Sequence, residues 1–379
     1  MTETVFRNAR IVLPDAIHDG DLVVRDGRIA AIGDRGAGAA GIDVERDWLI
    51  PGLVELHTDH LEGHYAPRPK VRWNPLAAVQ AHDAQIASSG ITTVFDALRV
   101  GSDEDTDLGA EDMVRLAEAI DESQRRGRLR ADHFVHLRCE VCAPDVLDAF
   151  AGLEANPRVR LASLMDHTPG QRQFTSMATY RIYYQGKTGM SDAEFEAFVA
   201  RRQARAGELS GVNRKVISER SRVRGIVLAS HDDANAEHVA EAVENGVHLA
   251  EFPTTFEAAE ASQAAGMKVL MGAPNVVRGG SHSGNVSARA LAERGLLDVL
   301  SSDYLPFSLL HAAFLMAETL ETITLPEAIA KVSRNPAEAV GLTDRGAIEP
   351  GRRADLVRVH LDGDVPVVRG VWREGQRVA

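Results

Sequence analysis

The period of apolar positions changes twice along this chain. Over residues 1–50 it is the two-residue alternation of strands: 5–12, 21–25, 28–32 and a run ending at 48–50. Asp26-Gly27 between two of these runs is a hairpin signal, because both residues tolerate the positive φ that a tight β-turn needs. The alternation returns at the far end, where a turn-rich stretch at 346–351 leads into strands at 354–359 and 365–372. Two β-rich ends around a different middle predict one small β-sandwich domain built from 1–50 and 346–379.

The middle, 51–345, alternates buried strands with amphipathic helices. Strands are predicted from Pro51 to about His57, then at 91–96, 133–138, 159–165, 225–230, 247–252, 268–272 and 297–300. Helices are predicted at 75–89, 107–126, 141–153, 236–245, 258–265 and 291–294, with closing helices at 307–320 and 325–333. Eight strands alternating with helices give an α/β fold, a TIM-like (β/α)8 barrel. A segment of mixed Tyr, Arg and Gln at about 170–222 interrupts the pattern as an insertion, with a helix from Ser191 to about Ser218.

Charge narrows the function. A net charge of -13 over 379 residues argues against a non-specific nucleic-acid or acidic-membrane binder. It leaves room for a phosphorylated substrate, since a few arginines or a metal reverse the field inside one pocket. Cys139 and Cys142 form a CxxC without a second pair to complete a structural zinc site, so buried or adventitious thiols are expected, with redox work or direct metal binding as the alternatives. No signal peptide or apolar run of membrane-spanning length is present, so a soluble cytoplasmic protein is expected.

Metal-competent side chains fall at the ends of the predicted strands. His57 and Asp59 end the first, two residues apart and therefore on one face if the strand persists. Glu140 ends the third, His167 the fourth, His231 the fifth and Asp303 the last. Barrel closure brings such residues to one mouth, where catalytic groups gather. The set exceeds the need of one four-coordinate zinc and suits two divalent ions, zinc or manganese by ligand type, with Glu140 bridging. Asp303 would orient or deprotonate an activated water, a hydrolase arrangement. His60 and Asp232 are expected to support the ligands or join them, with His64 close by. His133, His136, His238 and His248 precede the strand ends and are expected to pack or lie at the surface.

Cations follow the ligands. Arg68, Lys70 and Arg72, beside Trp73 in a proline-restricted loop, suit phosphoryl oxygens. After the seventh strand a glycine-rich loop offers Arg278, Ser281, His282, Ser283 and Asn285, without the Gly-Lys-Ser/Thr ending of a Walker motif. The insertion adds Arg172, Tyr180, Arg181, Tyr183, Tyr184 and Lys187 as a lid or a dimer contact, a homodimer being the oligomer considered.

These residues resemble the amidohydrolase superfamily, and more closely its PhnM-like branch of carbon-phosphorus lyase pathways. The resemblance is carried by His57-Thr-Asp-His-Leu-Glu62, Ala66-Pro-Arg-Pro-Lys-Val-Arg-Trp73, His82-Asp83 with Ala87-Ser-Ser-Gly-Ile-Thr-Thr-Val-Phe-Asp96, and His136-Leu-Arg-Cys-Glu140. Leu164-Met-Asp-His167, Ser230-His-Asp-Asp233 and Gly272-Ala-Pro-Asn-Val-Val-Arg-Gly-Gly-Ser281 complete it. It implies a metal-dependent barrel with a terminal β-sandwich. The usual His-x-His is His57-x-Asp59 here, and Glu140 replaces the lysine that bridges the metals in many members. For this branch it implies a phosphoric-anhydride hydrolase. The small-molecule substrate would be α-D-ribose 1-methylphosphonate 5-triphosphate, cleaved to the 5-phosphate and pyrophosphate, with no nucleic-acid or membrane partner. Rival readings are hydrolysis of a carbon-nitrogen bond (deacetylase, cyclic amidase or deaminase) and a non-catalytic scaffold. Fewer cations at the mouth would suit the first rival, and absence of metal the second.

Overall fold

In the computed structural model, which describes residues 2–34, 40–101, 108–172, 177–281 and 284–379, the strands form two sheets. The first begins with β1 (Glu3–Val12), β2 (Ile17–Arg25), β3 (Arg28–Asp34), β4 (Ile42–Asp43) and β5 (Trp48–Pro51). The second is all parallel: β6 (Leu53–Thr58), β7 (Ile91–Val100), β8 (Asp132–Glu140), β9 (Val159–Met165), β10 (Val227–His231), β11 (Leu249–Glu251), β12 (Lys268–Gly272) and β13 (Val299–Ser301). β14 (Leu356–Asp362), β15 (Val365–Arg373) and β16 (Gln376–Arg377) then complete the first.

That first sheet runs β16-β15-β14-β5-β1-β2-β3, with β4 pairing to β1, so both ends of the chain share one hydrogen-bonded sheet. Asp26 and Gly27 adopt φ of 50° and 77°, giving the expected tight turn between β2 and β3. Phe6, Ile11, Leu22, Leu49, Leu356 and Trp372 form its core, with Phe6 and Trp372 edge to face at 4.9 Å. The chain crosses to the barrel at Gly52, where a Cβ would meet Thr92 Oγ1 at 2.2 Å.

The barrel follows sequence order from β6 to β13 and closes through a parallel bridge between Thr58 and Asp303, with the Asp303 N–H donating to the His57 carbonyl at 3.1 Å. Leu56, Phe95, Leu161, Leu249, Leu270 and Val299 meet in its interior. At the strand ends Asp232, Phe252 and Asp303 have φ of 57°, 54° and 55°, a left-handed conformation that costs non-glycine residues about 1 kcal/mol or more each. These bends turn the chain sharply at the barrel mouth.

Besides short unpredicted helices at His60–Tyr65 and Arg334–Ala339, two regions near the mouth differ from the sequence expectation. Within the insertion a helix at Met177–Thr188 precedes a longer one at Asp192–Arg224. Ser191 and Glu194 form its capping box, and Gly225 in the left-handed region (φ 68°) ends it. The glycine-rich stretch after β12 starts as a helix, Ala273–Arg278, because Pro274 falls in the first turn, where its missing N–H costs nothing. Among the described residues no helix is long and apolar enough to cross a membrane.

Candidate active site at the barrel mouth

A cavity of about 340 Å³ opens at the C-terminal ends of the barrel strands. Of the sequence-selected residues, His57, Glu140, His167, His231, Asp232, Asp303, Arg278, Ser281 and Asn285 line it. The ligand candidates are delivered by the ends of five strands, His231 and Asp232 sharing that of β10, which is why residues far apart in sequence converge.

The centre of the cluster is a residue the sequence reading passed over, Glu251 at the end of β11. Its Oε2 lies 3.3 Å from His57 Nδ1 and accepts from His231 Nδ1 at 3.2 Å. Ser163 Oγ is 2.6 Å from the same oxygen. Burial would raise the Glu251 pKa, but the His57 and His136 imidazoles and a hydrogen bond from His231 hold it well below the usual carboxylate range. The same charge raises His57 against the opposing effect of burial.

His136 also belongs here. It lies one and two strand repeats before Arg138 and Glu140 on β8, so all three share a face. Its Nδ1 donates to the Leu56 carbonyl at 2.9 Å, and burial pushes its pKa down to about 3. The ring is therefore neutral; its Nε2 meets Ser163 Oγ, and with His57 and Glu251 it forms a group able to hold an ion. The expected packing role omitted this parity. His167, His231 and Asp232 form a second such group, with ligand atoms all within 4.8 Å of one another.

The donor set fits metal binding. His57 Nδ1, Glu251 Oε1 and Asp232 Oδ2 are buried without a hydrogen-bond partner, a costly state that coordination relieves.

Glu140, the expected bridge, is hydrogen-bonded on both oxygens, and with Cys142 and Asp166 it forms another group that could hold an ion. Its Oε2 accepts from His167 Nδ1 at 2.6 Å, and its Oε1 accepts from the His167 N–H at 3.1 Å and from Cys142 Sγ at 2.8 Å. Its carboxyl stays low, to about 2, because the His167 charge and hydrogen bond overcome burial. Glu140 thus orients an imidazole, the support that carboxylates give metal-binding histidines. Cys139 and Cys142 are buried free thiols, both pushed upward by burial.

Asp59 does not share a face with His57. The strand ends at Thr58, and Asp59, at φ -96° and ψ 12°, has left extended geometry. Its Oδ2 pairs with Arg138 Nη1 at 3.1 Å. Asp303 sits over the His57 backbone, and burial raises its carboxyl, with the nearby Asp59 charge adding to the effect. His60 turns away from the cavity and meets Gln85 Oε1 through Nε2 at 2.9 Å.

The cations that line the cavity are Arg99, Arg138 and Arg278. Arg68, Lys70 and Arg72 are absent from its wall; Arg68 and Lys70 are exposed, and Arg72 Nε lies 3.5 Å from Asp112 Oδ2. Of the four cations expected at the mouth only Arg278 lines it, and Arg99 and Arg138 escape the sequence reading because they lie within strands, at β7 and β8, rather than in loops. From the insertion, Tyr184 reaches the wall, its ring tilted at 33° to that of buried Tyr180 with centroids 4.4 Å apart. Arg172 is buried against Asp233 and Glu241, and Arg181 pairs with Asp192 and Glu196. His282, Ser283 and the side chains of Tyr183 and Lys187 lie outside the described residues. His133 is buried between Asp96 and Asp83, His238 accepts from the Ala234 N–H, and His248 is exposed.

Residues 69–379 match the model of a family described as the amidohydrolase family. The chain is 48% identical to the alpha-D-ribose 1-methylphosphonate 5-triphosphate diphosphatase of Escherichia coli (strain K12), over 99% of this chain and 100% of that protein. It is 28% identical to an imidazolonepropionase of Cupriavidus necator, covering 97% of this chain and 91% of that one. Among solved structures it resembles the N-acetyl-D-glucosamine-6-phosphate deacetylase of Mycobacterium smegmatis, at 16% identity and a TM-score of 0.64, covering 99% of this chain and 100% of that chain. That last likeness is one of fold.

Proposed function

The chain belongs to the amidohydrolase family, and from this we propose that it hydrolyses α-D-ribose 1-methylphosphonate 5-triphosphate to the 5-phosphate and pyrophosphate. The observation that carries the reading is the 48% identity, spanning both chains, to the Escherichia coli diphosphatase. Three arginines around one metal-competent mouth agree with a polyanionic substrate.

We assign two divalent ions to the mouth, zinc or manganese by ligand type: one held by His57, His136 and Glu251, the other by His167, His231 and Asp232. Bound there, they supply Lewis-acid polarisation of phosphoryl oxygen and bring the pKa of water toward neutrality. Asp303 accepts the proton of the attacking water; burial raises its basicity, which suits a general base. The water oxygen bonds to the α-phosphorus as the bond from that phosphorus to the bridging oxygen breaks, and pyrophosphate leaves with the bridging oxygen. Arg99, Arg138 and Arg278 neutralise charge on the equatorial and departing oxygens. Asn275, Ser281 and Asn285 add hydrogen bonds along the same wall.

Phosphorus-31 NMR of the metal-reconstituted protein with the ribosyl methylphosphonate 5-triphosphate tests this. Pyrophosphate with the 5-phosphate is the expected product pair. Stepwise release of orthophosphate would reject attack at the α-phosphorus. An unchanged spectrum from metal-loaded protein, with ammonia or a carboxylic acid released from amide substrates, would move the assignment to carbon-nitrogen hydrolysis.

A further inference from the structure

A second group of histidines lies beside the barrel, apart from the mouth cavity. His60 and His64 stand four residues apart on the helix His60–Tyr65, so their rings share one side. His82 faces them from the helix Pro75–Ser88. The ring centroids are 5.1 Å apart for His60 and His64, 6.2 Å for His60 and His82, and 5.8 Å for His64 and His82. Three imidazoles around one tetrahedral ion, each nitrogen at about 2.1 Å, put their ring centres about 5 to 6 Å apart.

Two of these rings share one hydrogen-bond acceptor, and the third has a bare nitrogen. His60 Nε2 and His64 Nε2 converge on a single atom, Gln85 Oε1, at 2.9 and 3.1 Å. His82 Nε2 is held by Asp96 Oδ1 at 2.7 Å, which fixes its tautomer and leaves Nδ1 as the bare nitrogen. That Nδ1 belongs to a fully buried side chain and has no hydrogen-bond partner. Asp96 is itself oriented by His133 Nδ1 at 2.7 Å, and His133 Nε2 by Asp83 Oδ1 at 3.3 Å. The Asp96–His133–Asp83 chain is thus satisfied by its own hydrogen bonds, whereas the His82 Nδ1 in front of it is not.

We propose that His60, His64 and His82 bind one transition-metal ion of zinc type, with Gln85 Oε1 or water as a further ligand and Asp96 orienting His82. The ion clips the helix His60–Tyr65, which leads into the cationic loop at 66–73, onto the barrel helix Pro75–Ser88. It is structural and separate from the ions assigned to the mouth, and it does not depend on which reaction the mouth performs.

Zinc is the probe, and the readouts are zinc bound per chain after dialysis and the zinc-induced shift in unfolding temperature. His60→Gln/His64→Gln keeps polar groups at two half-buried positions, and His64→Phe keeps a ring of similar size. Wild type should retain one zinc per chain more than either variant and gain more in unfolding temperature on zinc addition. Equal zinc content and equal shifts in wild type and in a variant that unfolds cooperatively without zinc would overturn the proposal. If the double variant fails to fold, the single His64→Phe comparison decides by the same two readouts.

Discussion

Glu251 Oε2 lies 3.3 Å from His57 Nδ1, joining the sixth barrel strand to the first across the interior. The other Glu251 oxygen is buried and has no hydrogen-bond partner. A carboxylate held ionised beside two imidazoles, with one oxygen uncommitted, is suited to coordination. Glu251→Gln preserves shape while removing the charge. Turnover is expected to fall by more than about 100-fold, beyond what losing a supporting group costs, and metal retained after dialysis should drop. Unchanged metal content alongside reduced turnover would make Glu251 a positioning group instead.

How much of this was readable beforehand depends on how many residues reported each strand face. The barrel order follows from eight apolar runs, and His57, His167, His231 and Asp303 sit where those runs end. Glu251 stands one residue before the end of the predicted strand at 247–252, whereas in the structure β11 covers only Leu249–Glu251 and Glu251 is its last residue. At Asp59 the shared face with His57 does not hold, because period two was extended one step past the strand, into a turn it does not govern. Glu140 was placed at the right end of the right strand, but its partners, a backbone N–H, an imidazole and a thiol, come from spatial neighbours. His136 and Arg138 were accessible, since accepting Glu140 as inward already fixes their side.

Asp303 can be separated from the histidines of the mouth by a substitution that changes its basicity at nearly constant size. Asp303→Asn should reduce kcat by about 100-fold or more, the lower range for loss of a general base. KM should move much less. Steady-state kinetics on metal-loaded protein check this; an increase confined to KM would assign Asp303 to substrate binding.

The two cationic loops make different demands on the substrate. Arg278 lines the cavity, whereas Arg68 is exposed outside its wall. Arg278→Ala should raise KM by about 10-fold or more, the loss of a charge-assisted hydrogen bond. Arg68→Ala should change it less than about 2-fold. Equal effects in steady-state kinetics would mean that the loop at 66–73 closes over bound substrate.

Asp132, at the start of β8, ties the barrel to the terminal sheet. Its Oδ2 accepts from Arg345 Nη1 and Arg353 Nη1, both at 2.7 Å, and its Oδ1 from Arg373 Nη1 at 3.2 Å. Burial works to raise the Asp132 pKa, but Arg353, Arg345 and Arg373 hold it below its ordinary 3.8. An acid whose folded pKa is depressed contributes stability above its unfolded pKa and loses that contribution as pH falls through the folded value. The junction should therefore weaken only below about pH 4. Asp132→Asn leaves three largely buried guanidinium groups without their shared anion, at a cost of about 3 kcal/mol near neutral pH. Denaturant unfolding of the two proteins at pH 7 and along an acid series measures both effects. The difference between them should shrink as pH falls below about 4, because acid then neutralises Asp132 in the wild type as well. A difference that stays constant through that range would show that hydrogen-bond geometry, rather than the carboxylate charge, holds the junction together.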